Sequence, residues 1–167
     1  MSLRQLKTVS HFSIPRFVIG TAQFGMNYGV SNNSGQPSRD EVCKLTSHAI
    51  RHGFTWFDTA QTYGDSETVL GHALSDDSNN VTIITKLHPD LNPKDSDEIF
   101  NAIQDSCSRL NVSTIWGVML HRSEWLHCWN DGLGDALTRA KGDGLIKHIG
   151  VSVYTPQETD SIFLFLI

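Results

Sequence analysis

The sequence predicts an α/β fold of the (β/α)₈ barrel type, the TIM barrel, truncated after about five βα units. Short apolar segments rich in β-branched residues alternate with helical patterns, which is typical of a parallel sheet covered by helices. From the second segment onward, the predicted strands recur about every 26 to 35 residues, which is the length of one βα unit. Because no strand is followed by a G-x-G-x-x-G loop or a Walker loop, the sequence favours the barrel over a nucleotide-binding doubly wound sheet.

The predicted strands are continuous apolar runs without a regular polar alternation. They cover residues 17–21, 55–58, 81–86, 115–121 and 146–153. Four helices are predicted between them from apolar residues at helical spacing. The first begins at the capping box Ser38-Arg39-Asp40-Glu41 and stops at Gly53, where glycine favours a helix end. The others cover residues 67–74, 96–110 and 134–141.

Length and composition indicate one globular domain. The chain has 167 residues, of which 39% are hydrophobic and 19% are charged, and this balance is too apolar for a disordered protein. We therefore treat residues 1–167 as a single, incomplete barrel domain. Residues 1–15 are interpreted as an N-terminal extension, and residues 158–167 as an atypical C-terminal end because six apolar residues close the chain.

Charge and cysteine content restrict the partners and the compartment. The net charge of −5 argues against a nucleic-acid partner, because phosphate binding needs a basic surface. No apolar run reaches the roughly 20 residues that a membrane-spanning helix needs. The three cysteines form no C-x-x-C pair and their odd number supplies no disulfide framework, so a cytoplasmic location is expected.

Polar side chains end four successive strands of the predicted barrel. Asp58, Lys86, His121 and Ser152 occupy these positions, and Tyr63 lies in the loop after Asp58. The carboxyl ends of barrel strands converge on one mouth, where the chemistry of such enzymes takes place. We therefore expect these residues to form a single site.

The residue types at this mouth indicate proton transfer to or from an oxygen atom. A phenol with an ordinary pKa of about 10 is a poor proton donor near neutral pH, but an ammonium group beside it stabilises the phenolate. Lys86 would supply that ammonium, Asp58 would orient it, and His121 would hydrogen-bond the substrate oxygen. Reduction of a carbonyl or oxidation of an alcohol needs such a relay.

Five segments of the sequence together resemble the aldo-keto reductase family, in order and in spacing, over residues 16–157. They are Gly20-Thr21, Asp58-x-Ala60-x-x-Tyr63-Gly64-x-x-Glu67, Lys86, Leu120-His121 and Gly144-x-Ile146-Lys147-x-Ile149-Gly150-Val151-Ser152. The resemblance implies a (β/α)₈ barrel and the NADPH-dependent reduction of an aldehyde or ketone to an alcohol.

The resemblance also implies a role for each matching residue. Tyr63 would be the proton donor, tuned by Lys86 and Asp58, and His121 would bind and position the carbonyl substrate. Thr21, Asp58 and Ser152 would contact NADPH, and no metal would be needed.

The sequence departs from the family pattern at the cofactor site. In many members an asparagine follows the serine of the fifth strand, where this chain has Val153. In this family, the segments that bind the phosphate groups of the cofactor lie in the last third of the barrel.

Two other functions stay open on the sequence alone. One is a catalytically inactive, truncated fragment, whose unpaired sheet edges would favour self-association. The other is a non-enzymatic protein that keeps the fold and senses the redox state of the cofactor. Asp58 and Lys86 taken alone would also be explained by an ion pair that only supports the barrel.

Two further groups of residues were weighed as functional. Trp125 and Trp129 follow the fourth strand and are predicted to lie at the rim of a substrate pocket. The spacing of His121, His127 and Cys128 has no second cluster to support it, so no metal site is predicted.

Overall fold

The computed structural model describes residues 15–30 and 32–165, and its centre is one parallel sheet of five strands. The strands are β1 (Ile19–Gly20), β2 (Trp56–Asp58), β3 (Thr82–Lys86), β4 (Ile115–Leu120) and β5 (Ile146–Val151). They lie side by side in chain order, and every neighbouring pair is parallel. A doubly wound sheet reverses its strand order at a switch point, whereas a barrel wall keeps chain order. The predicted α/β class of the barrel type is therefore confirmed, with five parallel strands in the order of a barrel wall.

Across the described residues, six α-helices accompany the sheet. They are α1 (Ala22–Gly25), α2 (Arg39–Arg51), α3 (Ser66–Ala73), α4 (Ser96–Leu110), α5 (Leu133–Gly142) and α6 (Pro156–Phe165), with 3₁₀ helices at Ser78–Asn80 and Ser123–Asp131. The predicted capping box is present at the start of α2. The Ser38 hydroxyl accepts a hydrogen bond from the Glu41 amide at 3.3 Å, and the Glu41 carboxylate accepts one from the Ser38 amide at 2.8 Å.

The helices cover one face of the sheet and form the hydrophobic core with it. Phe57, Val118 and Leu120 are 0% exposed on this face, where they pack with apolar residues of α4 and α5. Half-buried aromatic side chains of β2, β4 and β5 also contact one another. The Trp116 ring lies 4.7 Å from the Trp56 ring and 4.4 Å from the His148 ring, measured between centroids.

The sequence prediction missed α1 and α6 and shortened or lengthened several elements by one to three residues. The helix α6 begins with a second capping arrangement, in which the Thr155 hydroxyl accepts from the Glu158 amide and the Glu158 carboxylate accepts from the Thr155 amide. Pro156 follows as the first helical residue, where proline is favoured. The helix therefore takes in most of the C-terminal end predicted at 158–167, while residues 1–14 of the predicted extension lie outside the described residues.

Within the described part of the chain, no helix is both long and apolar enough to cross a membrane.

Candidate active site

The centre of the site is an ion pair between the ends of two adjacent strands. Asp58 is the last residue of β2 and Lys86 the last residue of β3. The Lys86 Nζ lies 2.7 Å from both carboxylate oxygens of Asp58 and donates a further hydrogen bond to the Thr59 carbonyl at 3.0 Å. Strand pairing aligns Asp58 with Ile84, and Lys86 is two residues further along β3, so both charged side chains project from the same face.

Tyr63 lies above this ion pair in the loop between β2 and α3. The Lys86 Nζ is 5.2 Å from the centroid of the Tyr63 ring. The loop is fixed by a close backbone approach to α1, because a Cβ atom on Gly25 would overlap the Tyr63 carbonyl oxygen. Gly64 adopts a φ of 57°, a left-handed conformation that favours glycine, and lets the chain turn directly after the tyrosine.

His121 follows β4 and completes the predicted group. Burial, followed by the charge of Lys86, lowers the pKa of His121 below its usual value of 6.5. The imidazole is therefore held in its neutral form at physiological pH. Its Nδ1 atom is buried and has no hydrogen-bond partner among the described residues. A buried nitrogen without a partner is rare.

The residues predicted to contact a cofactor differ in how accessible they are. Asp58 keeps 31% of its side chain exposed, and Ser152 is half-buried after β5. Thr21 is 0% exposed, and its hydroxyl donates to the Asp58 carbonyl and contacts the Ser66 hydroxyl. Thr21 therefore supports the backbone at Asp58, whereas the side chains of Asp58 and Ser152 remain partly exposed at the carboxyl end of the sheet. Val153, which stands where many family members have asparagine, is 40% exposed.

A second polar cluster, which the sequence reasoning did not assign, lies behind the Tyr63 loop on the helix-covered face. The buried Glu67 carboxylate accepts hydrogen bonds from Thr85 Oγ1 at 2.6 Å, from Arg109 Nε at 2.7 Å and from Ser106 Oγ at 3.3 Å. The Gln61 side chain also reaches Ser106. The sequence held one signal for this cluster, which was the glutamate at the end of the tyrosine motif. The partners of that glutamate are distant in the chain, so no local pattern indicated that they meet it.

The prediction that Trp125 and Trp129 lie at a pocket rim is wrong. They are 6% and 5% exposed and belong to the hydrophobic core, because the 3₁₀ helix that carries them packs against α5. The sequence does not distinguish a tryptophan at a pocket rim from one in the hydrophobic core, because both can follow a strand. Across residues 15–30 and 32–165, no group of three or more potential ligands is placed to hold a metal ion.

Comparison with known proteins yields one family. The profile described as the aldo/keto reductase family matches residues 16–164. A curated relative, the chloroplastic pyridoxal reductase of Arabidopsis thaliana, is 28% identical over 141 residues, which cover 76% of this chain and 39% of that protein.

Solved structures share the fold. A provisionally assigned aldo-keto reductase from Pseudomonas aeruginosa matches with a TM-score of 0.72 and 27% identity, over 84% of this chain and 56% of that one. An aldo-keto reductase of Bombyx mori in complex with NADP matches with a TM-score of 0.68 and 23% identity, over 90% of this chain and 50% of that one. The chain thus spans little more than half of these structures and less than half of the curated relative.

Proposed function

The chain belongs to the aldo/keto reductase family, and from this premise we propose that it supplies the proton-transfer residues of an NADP(H)-dependent reductase of aldehydes or ketones. General oxidoreductase function follows from the family, whereas the cofactor, the proton donor and the substrate class are our proposal. The observation that carries it is the grouping of Asp58, Lys86 and Tyr63 at the carboxyl end of the sheet, with His121 after the next strand.

Tyr63 is the proposed proton donor to the carbonyl oxygen. Its phenol lies beside the Lys86 ammonium, which favours the negatively charged phenolate that remains after the proton has left. Asp58 holds the ammonium by contacts from both carboxylate oxygens. Proton transfer from such a positioned group contributes about 10²- to 10⁴-fold to the rate of a reaction.

His121 is the proposed partner of the substrate oxygen. As a neutral imidazole it has one N–H donor and one acceptor nitrogen, so it can donate a hydrogen bond without competing as an acid. The lowered pKa keeps the ring in this form. The roles are thus divided, since Tyr63 would transfer the proton and His121 would orient the oxygen that receives it.

We place NADPH on the open side of this group. Asp58 and Ser152 are the residues proposed to hold its nicotinamide end, and Thr21 supports Asp58 through the hydrogen bond that its hydroxyl donates to the Asp58 carbonyl. This assignment is favoured by the accessible carboxylate of Asp58 and the half-buried Ser152. When bound, the cofactor supplies the hydride, which protein side chains cannot provide. The Bombyx mori relative was solved with NADP, which supports the same class of cofactor here.

We also propose a cytoplasmic location and a small carbonyl compound as the substrate. The three cysteines, which are free in the structure, are compatible with a reducing compartment.

The test is NADPH oxidation by the whole protein with a panel of aliphatic and aromatic aldehydes and ketones, followed by the absorbance of the reduced nicotinamide. Tyr63→Phe removes only the hydroxyl and is expected to lower kcat by about 10²-fold or more. Tyr154→Phe is the matched control, because Tyr154 is 75% exposed and lies outside the group. Wild-type turnover by Tyr63→Phe would rule out the assigned proton donor, and the absence of both turnover and NADPH binding in the wild type would overturn the proposed function.

A further inference from the structure

Gln61 connects the loop that carries Tyr63 to the chain directly after Lys86, where β3 ends. It lies two residues before Tyr63, and its backbone amide donates to the Lys86 carbonyl at 3.0 Å. Its side-chain oxygen accepts a hydrogen bond from the His88 amide at 2.7 Å, two residues after Lys86. One residue therefore holds the backbone that directly follows the lysine, on both sides of Leu87, at a fixed distance from the tyrosine loop.

The other end of the Gln61 side chain is anchored to α4. Its Nε2 donates to the Ala102 carbonyl at 2.9 Å and to the Ser106 hydroxyl at 2.8 Å. Ser106 is 0% exposed and lies on the inner side of α4. The amide group of Gln61 is thus hydrogen-bonded at both of its atoms, to three different partners, and its orientation is fixed.

Ser106 on α4 also binds the end of the tyrosine loop that leads into α3. Ser106 Oγ donates to Glu67 Oε2 at 3.3 Å and accepts from Arg109 Nη2 at 3.2 Å. Glu67 lies in the first turn of α3, directly after the loop. The segment from Gln61 to Glu67 is therefore attached to the same serine at both ends, with Tyr63 between them.

We propose that Gln61, through Ser106, is a positioning residue that fixes the Tyr63 phenol relative to the Lys86 ammonium. This inference rests on the proposed function, since it assigns Gln61 a role in proton transfer through Tyr63 without contact with substrate. A displacement of about 1 Å at a reacting group lowers a rate by up to about 10²-fold. The hydrogen bonds of Gln61 oppose such a displacement at the two loops where it would occur.

The test replaces Gln61 by methionine, which has a similar length but none of the hydrogen bonds. In the whole protein, Gln61→Met is expected to lower kcat about 10-fold or more while the Kd of NADPH stays unchanged. The solvent deuterium isotope effect on kcat is expected to increase, because proton transfer from Tyr63 becomes more strongly rate-limiting. Gln104→Met on the exposed side of α4 is the matched control and is expected to leave all three quantities unchanged.

A readout without turnover separates this inference from the proposed function. In protein labelled with fluorotyrosine, the Tyr63 fluorine resonance is identified by its loss in Tyr63→Phe. It is expected to shift or split in Gln61→Met and to stay unchanged in Gln104→Met. If the wild type has no activity but the resonance responds in this way, the proposed function fails and the positioning of Tyr63 by Gln61 stands.

Two results would overturn the inference. One is an unchanged Tyr63 resonance in Gln61→Met. The other is a fall in kcat that is matched by equal losses of NADPH affinity and of thermal stability, since a general loss of folded protein would then explain the effect.

Discussion

Two carboxylate–cation pairs of equal length lie on opposite faces of β3, and they differ in which partner is buried. At the mouth, Lys86 and Asp58 are 2.7 Å apart, and their side chains are 9% and 31% exposed. On the helix-covered face, Arg109 and Glu67 are also 2.7 Å apart, but here the cation is 39% exposed and the carboxylate only 3%. The two pairs are linked through consecutive residues, because Thr85 contacts Glu67 and Lys86 contacts Asp58.

The difference in burial indicates a difference in role. Glu67 is 3% exposed and accepts hydrogen bonds from three side chains, those of Thr85 on β3 and of Ser106 and Arg109 on α4, so its carboxylate is engaged within the fold. Asp58 and Lys86 lie on the face that the helices leave uncovered, beside Tyr63, and the charge of Lys86 adds to the effect of burial in lowering the pKa of His121. We therefore propose that the same kind of ion pair stabilises the fold in one place and prepares a reaction site in the other.

The largest effect that would test this contrast is expected from Lys86→Met. The substitution removes the ammonium beside Tyr63 and is expected to lower kcat of the whole protein by about 10²-fold or more. The free energy of unfolding is expected to fall by only about 1 kcal/mol, because the partly exposed Asp58 can be hydrated in its place. Steady-state kinetics and urea unfolding of the same preparation measure both quantities. A large loss of stability with little loss of kcat would contradict the division of roles.

The reverse pattern is expected for Arg109→Met. Removal of the guanidinium leaves the Glu67 carboxylate buried without its counter-charge, and breaking a buried pair costs about 3 kcal/mol or more. Urea unfolding is expected to show this loss, while kcat per folded molecule decreases far less than in Lys86→Met. A second change, Glu67→Gln, is expected to restore much of the stability because it removes the uncompensated charge. Arg51→Met, on the exposed side of α2, is the control and should unfold like the wild type.

The smallest effect concerns the pH dependence of stability through His121. Its pKa is lowered in the folded protein, chiefly by burial and then by Lys86, so the unfolded chain binds a proton at a higher pH than the folded chain does. The stability that depends on neutral His121 is therefore complete above the unfolded value of 6.5 and is lost as the pH falls through the lower folded pKa. His121→Gln is expected to reduce this acid loss.

Urea unfolding between about pH 5 and pH 7 measures the effect. Part of the acid loss is expected to remain in His121→Gln, because burial and two nearby lysines also lower the pKa of His148. The exposed His72 supplies the control, since His72→Gln should follow the wild-type curve. If the free energy of unfolding depended on pH in the same way in His121→Gln and in the wild type, protonation of His121 would not contribute to the acid loss of stability.

Much of the fold could be predicted from the sequence, because its strongest signals are local. The helix α4 was predicted with its observed bounds, since its apolar spacing is regular and Asp95 caps its first turn. The strand β1 was predicted longer than it is, at 17–21 instead of Ile19–Gly20, because the length of a strand depends on its pairing partner and β2 offers few residues. The residues predicted to form the site were also local in origin, since each ends a strand or follows one.

The sequence by itself determined the family, the order of the five strands and of the four helices α2 to α5, and the presence of a carboxylate, a lysine and a histidine at strand ends. Only the tertiary structure decided which charged pair is open and which is buried, that Trp125 and Trp129 belong to the core, and that Gln61 joins two loops to α4. The physical reason is that burial and hydrogen-bond partnership depend on residues far apart in the chain. Gln61 and Ser106 are separated by 45 positions, and no local pattern in the sequence indicates that they meet.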